Sequence, residues 1–137
     1  MSVFLSFDYG TKKIGVGVGD DITRTARALS TVRPDWALLG KLIADWQPNA
    51  FVVGLPLGKD GEEQTITRAA REFARTLGER YKKPVHFCDE RYSSVAAQSS
   101  LRAQRASGER KHRLKATDED AEAARQILEQ FLNEHAT

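Results

Sequence analysis

In the run Ile14-Gly15-Val16-Gly17-Val18-Gly19 every second residue is glycine. A period of two is the period of a β-strand, so Ile14, Val16 and Val18 share one face and the three glycines the other. A strand face without side chains suits a neighbour that must come very close. The spacing is G-x-G-x-G within a strand, not G-x-G-x-x-G at the start of a helix, which sets aside a dinucleotide loop. The run from Ile14 to Val18 therefore reads as a hairpin strand with something packed close over it.

Its hairpin partner is the stretch Val3-Phe4-Leu5-Ser6-Phe7-Asp8. Five of these six residues are apolar or small, and the sixth is a carboxylate. Gly10-Thr11-Lys12-Lys13 makes the turn. A charge at the end of a buried strand is costly unless something pairs with it, and a divalent cation is a natural partner. Ala28 to Val32 reads as a third strand. Pro34-Asp35 opens a helix with Trp36, Leu39, Ile43 and Trp46 at helical spacing, ended by Pro48. Both tryptophans are expected in the core. Ala50 to Val53 reads as a strand buried on both faces, and Gly54 to Gly61 as a loop rich in breakers. The next helix carries Ile66, Ala70, Phe73, Leu77 and Tyr81 on one stripe and Arg68, Arg71, Arg75 and Arg80 outside. Val85 to Cys88 is the last strand. A helix from Ser93 to about Gln104, a basic loop and a helix from about Asp118 to Asn133 follow, the last with Ala124, Ile127 and Phe131 inward.

The order β-β-β-α-β-α-β-α-α predicts an α/β fold: a hairpin meander, then parallel crossovers, in a five-stranded mixed sheet flanked by helices. At 137 residues the chain reads as one domain, 1–137, with apolar residues at 40% and charged residues at 29%. One cysteine excludes an intrachain disulfide and fits a reducing, cytoplasmic setting. No signal peptide and no apolar segment of membrane-spanning length is visible. The net charge of +2 says little, but its distribution is sorted. Residues 102–115 hold six Lys/Arg and one Glu; residues 116–137 hold six acids and one Arg.

Three acids are candidates for one site. Asp8 ends the first strand and Glu90 ends the fifth. Asp120, in the first turn of the last helix, is in register with that helix's apolar stripe. If the first and fifth strands run the same way, Asp8 and Glu90 share the sheet edge where α/β proteins place ligands. Asp118 competes with Asp120 for the third position. Simpler roles exist for each: Asp8 could cap the turn at Thr11, Glu90 could pair with Arg91 or Lys83, and Thr117-x-x-Asp120 fits a capping box. Carboxylates gathered this closely need a counter-charge. Oxygen ligands that leave room for water and phosphate suit Mg²⁺ or Mn²⁺. Two such ions would serve phosphodiester hydrolysis, with Asp8 bridging. The basic loop, with Arg102, Arg105, Arg110, Lys111, Arg113 and Lys115, joins the elements bearing Glu90 and Asp120, and suits a nucleic-acid backbone. His112 lies in the same loop.

The chain resembles the RuvX/YqgF family, known as pre-16S rRNA nucleases and described also as Holliday junction resolvases. The resemblance rests on Phe7-Asp8-Tyr9-Gly10-Thr11-Lys12-Lys13-Ile14-Gly15, Val53-Gly54-Leu55-Pro56-Leu57 and Asp89-Glu90-Arg91-Tyr92-Ser93-Ser94. A fourth stretch is Asp120-x-x-Ala123-Ala124-x-x-Ile127-Leu128-x-x-Phe131-Leu132. These occur in family order over nearly the whole chain. The resemblance implies an RNase H-like fold with strand order 3-2-1-4-5 and strand 2 antiparallel. It also implies a metal-binding triad of Asp8, Glu90 and Asp120, and 5′-end processing of pre-16S rRNA in ribosome biogenesis. Lys12, in the turn after Asp8, joins the backbone-contacting candidates. Where relatives have a basic and then an apolar residue before the last acid, this chain has Asp118 and Glu119.

Three functions compete. The first is a metal-dependent nuclease, a monomer on structured RNA or a homodimer on four-way DNA. The second is an ATP-handling protein, since Asp8-x-Gly10-Thr11 resembles a phosphate loop of the actin and sugar-kinase superfamily. Those proteins close two such domains around the nucleotide, and this chain has length for one. The third is a non-catalytic nucleic-acid-binding module of ribosome assembly.

Overall fold

A computed structural model describes residues 2–56, 64–89 and 116–134. Three strands come first: β1 (Val3–Tyr9), β2 (Ile14–Asp20) and β3 (Ala26–Val32). Helix α1 (Trp36–Trp46), β4 (Ala50–Leu55), α2 (Thr65–Tyr81), β5 (Val85–Asp89) and α3 (Ala116–Glu134) follow. The expected helix over 93–104 and the basic loop lie outside the described residues. The strands form one sheet of order β3-β2-β1-β4-β5. β2 is antiparallel to β1 and β3, while β4 is parallel to β1 and β5. This is the order and polarity that the family resemblance implies.

Two apolar layers hold the sheet. Leu5, Phe7, Ile14, Val16, Phe51 and Val53 pack under α1 and α2 with Leu39, Ile43, Phe73 and Leu77. On the other face, Val52 and Cys88 pack with Ile127, Leu128, Phe131 and Leu132 of α3. β4 is buried along its whole length, as expected of a strand between two helical layers. It also takes in Gly54 and Leu55, so the breaker-rich loop starts later than the sequence suggests.

The tryptophans depart from expectation. Trp36 and Trp46 are half-buried at the rim of the core, not inside it. Their outer surfaces are covered by arginines: Arg80 lies 4.9 Å from the Trp36 ring and Arg27 5.2 Å from the Trp46 ring. A guanidinium can cover an aromatic face and stay hydrated, so the ring need not be fully buried. Two more arginines of α2 are engaged: Arg71 lies over Phe87, and Arg75 bridges Glu72 and Glu79.

Candidate active site

Asp8 sits near the C-terminal end of β1, on the face it shares with Ser6 and Phe4. Opposite these three on β2 lie Gly15, Gly17 and Gly19. The element that covers the glycine face is α3. A Cβ built on Gly15 would stand 1.9 Å from the carbonyl oxygen of Asp120. One on Gly17 would stand 3.1 Å from the Ala124 carbonyl carbon, and one on Gly19 3.1 Å from Leu128 Cδ2. The helix backbone therefore lies directly on Gly15 and Gly17, and the Leu128 side chain reaches Gly19. Ser6 Oγ, fully buried opposite Gly17, donates to the Ala124 carbonyl at 2.7 Å and pins the helix.

This contact decides where Asp120 goes. The helix backbone at Asp120 rests on Gly15, and Gly15 is the cross-strand partner of Asp8. Two carboxylates from opposite ends of the chain thus share one corner, both half-buried. Their electrostatics agree with the geometry. Burial pushes the Asp120 carboxyl above its usual range, and the Asp8 charge pushes it further. Lys13 pulls it back and Glu119 raises it again. Lys12 and Lys13 are both exposed on the β1–β2 turn. Of the two, it is the Lys13 charge that acts on Asp120. Ser6 was missed as a helix anchor, although a small polar residue opposite a glycine row is a signal for one.

The helix begins at Ala116, so Asp120 is its fifth residue and not a first-turn residue. That removes the capping-box role for the Thr117-x-x-Asp120 spacing, which needs its acid at the third helical position. Two other acids serve the turn after β2: Asp20 accepts the amides of Ile22 and Thr23, and Asp21 that of Ser2.

β1 and β5 both run parallel to β4, with Phe7, Val53 and Phe87 in one row. Their C-terminal ends therefore lie at the same sheet edge. His86 and Cys88 share the α3 face: His86 meets the Phe131 ring at 4.9 Å, and Cys88 packs with Ile127 and Phe131. Glu90, Arg102, Arg105, Arg110, Lys111, Arg113 and Lys115 lie outside the described residues, as does the Asp118 side chain. Among the described residues no three His, Cys, Asp or Glu side chains form a metal-sized cluster. Asp8 and Asp120 supply two.

The family comparison follows this geometry. A family model described as "RuvX: Holliday junction resolvase" matches residues 2–134. The chain belongs to the RuvX family. A relative in Burkholderia pseudomallei (strain 668), named "Putative pre-16S rRNA nuclease", is 47% identical over 137 residues. That match covers 96% of this chain and 88% of the relative. A protein of the same name in Ralstonia pickettii (strain 12J) is 45% identical over 140 residues, covering 96% and 87%. Membership places this RuvX chain among nucleases, hydrolases of phosphodiester bonds.

Solved structures agree on the fold. T. thermophilus RuvC in complex with Holliday junction substrate superposes with a TM-score of 0.60 at 16% identity, covering 96% of this chain and 94% of that one. Fowlpox virus resolvase, in complex with Holliday junction DNA, does so at 0.58 and 9% identity, covering 98% and 99%. At such identities the likeness is one of fold, the RNase H-like fold.

Proposed function

We propose that this RuvX chain is a divalent-metal-dependent nuclease on structured RNA, maturing the 5′ end of pre-16S rRNA during ribosome assembly. The observation that carries the metal reading is the Asp8–Gly15–Asp120 corner, where two carboxylates raise the cost of each other's charge. Such a pair fits a hard cation, because the cation removes the repulsion that each acid meets alone. Asp8 and Asp120 would hold Mg²⁺ or Mn²⁺. Glu90, in sequence parity with His86 and Cys88 just past β5, would complete the set, with Asp118 as the alternate third ligand. When bound, a pair of such ions would activate water and steady the leaving oxygen.

The chain's own residues then have separate tasks. Ser6 and the glycine row hold α3 at the depth that brings Asp120 to Asp8. Lys13, beside the acids, and Lys12 offer cations to a phosphate approaching the corner. Arg102, Arg105, Arg110, Lys111, Arg113 and Lys115 would hold the backbone further out. Residues 1–137 act as one nuclease domain with one site per copy, in the cytoplasm, where precursor rRNA is made.

The family description favours a second reading, cleavage of four-way DNA. A junction cut on two strands needs two copies across a two-fold axis, whereas one copy suffices for RNA trimming. Side-by-side cleavage of a pre-16S fragment and a four-way DNA at matched salt distinguishes them. Asp8→Asn should reduce either cleavage to background and leave backbone binding intact. Unchanged cleavage by Asp8→Asn sinks the metal site. Binding without cleavage by the unmodified chain, with either ion and either substrate, leaves an assembly factor.

A further inference from the structure

Gly15 faces α3, with the Asp120 carbonyl over it, while Ile14 packs on the opposite side of the sheet with Leu5 and Phe7. Side chains two residues apart on an extended chain share a face. Lys13 therefore belongs to the face of Gly15 and of its cross-strand partner Asp8. Lys12, one residue further into the turn, is out of that register. The hairpin is still closed at Lys13. A Cβ on Gly10 would stand 2.6 Å from the Lys13 carbonyl oxygen, so the two arms meet there because residue 10 has no side chain.

This position lies on the solvent side of the acid pair. Tyr9 and Ile14 form the last pair of β1 and β2, one step past Asp8 and Gly15. Gly10 and Lys13 come next, at the rim of the sheet edge that carries the site, and Lys13 is exposed. Among the described residues it is the cation whose charge reaches Asp120, where Asp8 and Glu119 act with the opposite sign.

Coulomb's law gives such an ammonium two successive partners. In the chain alone, Lys13 offsets the charge of the acid pair. Once a cation neutralises the acids, Lys13 meets like charge on that side, and the oxygens of a phosphate at the site become its favourable contact. A phosphodiester under attack gains negative charge on its oxygens. A cation already in place there lowers the barrier instead of only tightening binding.

We propose that Lys13 is a catalytic residue of this site: its ammonium contacts the phosphate being cut and stabilises the charge that develops on it. The assignment rests on the nuclease reading and deepens it by separating the two turn lysines. Lys13 acts on the reacting phosphate, and Lys12 on the strand beyond it. In the hydrolysis the water oxygen bonds to phosphorus and gives up a proton to solvent. The ester bond to the leaving oxygen breaks, and that oxygen keeps the electron pair and takes a proton. Lys13 stays protonated throughout.

The test has a kinetic arm and a binding arm. The substrate is the pre-16S fragment or the four-way DNA, whichever the unmodified chain cuts. At saturating Mg²⁺, Lys13→Met should lower kcat about a hundredfold and change KM little, as loss of one transition-state contact does. Lys13→Arg keeps the charge and should recover most of the rate. Lys12→Ala should instead raise KM. Calorimetric titration with Mg²⁺ alone reads the position without cleavage. Lys13→Met removes a like charge beside the ion and should bind Mg²⁺ several-fold more tightly than the unmodified chain.

Unchanged kcat in Lys13→Met, or a loss confined to KM, overturns the proposal. So does a Lys13→Arg protein as slow as Lys13→Met, because the charge is then not what the reaction uses. Equal Mg²⁺ affinity in Lys13→Met and the unmodified chain overturns the placement of the ammonium beside the acids. Failure of the nuclease reading looks different: the unmodified chain cuts neither substrate while Mg²⁺ affinity still rises in Lys13→Met, and the catalytic role falls with that reading.

Discussion

Burial and the Asp8 charge raise the proton affinity of Asp120 in the folded state. The ionised carboxylate therefore opposes folding at neutral pH. The sign follows from linkage: a raised folded-state pKa leaves stability intact below the unfolded value near 4 and removes it as pH rises through the folded value. Asp120→Asn should melt higher than the unmodified chain at pH 7 in a chelator, and the gap should close as pH falls toward about 4. A gap that stays constant with pH would show that the carboxylate meets no such repulsion. Gly15 is the other residue on which the corner depends. Gly15→Ala drives a methyl to 1.9 Å from the Asp120 carbonyl oxygen, a contact with backbone that no side-chain rotation relieves. The helix must move, at a cost of about 3 kcal/mol. Denaturant unfolding measures it, and a loss under about 1 kcal/mol would mean that α3 rides loosely on the sheet.

The ends of β4 and α2 meet through one side chain. Thr67 is fully buried, accepts the Gln64 amide at 3.0 Å and donates to the Pro56 carbonyl. Its hydroxyl thus ties the exit of β4 to the entry of α2. In a helical stripe read by hydrophobicity it passes unnoticed, since threonine is neither strongly apolar nor a charged surface residue. Thr67→Val keeps the shape and leaves a donor and an acceptor without a partner, which costs about 1–3 kcal/mol. Chemical denaturation reads the loss, and hydrogen exchange should show it first at the Gln64 amide. α3 packs through Ala121, Ala124, Ile127, Leu128, Phe131 and Leu132 and is pinned by Ser6. α2 packs along its length as well, through Ala70, Phe73, Ala74 and Leu77, and adds the hydroxyl clasp at its start.

At the scale of the molecule, the sheet separates two jobs. One face and α3 bring the acids together, and the other face with α1 and α2 supplies the core. Cation binding should therefore stabilise the whole fold by mass action, because the carboxylate pair is assembled only in the folded chain. Mg²⁺ at a hundred times its dissociation constant should add about 2.7 kcal/mol. A calorimetric Tm that rises with Mg²⁺ in the unmodified chain and stays fixed in Asp8→Asn is the expected result; equal rises in both would place the ion elsewhere. No described helix is long and apolar enough to cross a membrane.

Local pattern carried much of this by itself. The period-2 glycines, the apolar run closed by Asp8, the buried β4 and the α3 stripe were legible because each depends on neighbours in the chain. Strand polarity followed from connection lengths, and strand order from the family resemblance. Tertiary structure alone decided which element lies on the glycine row, which lysine acts on Asp120, and that the tryptophans stay at the rim under arginines. It alone brought Tyr9, Trp36 and Phe73 together, since they come from three elements and share no sequence period. The physical reason is the same throughout: alternation records which way a side chain points, while contacts across tens of residues arise only when the layers pack.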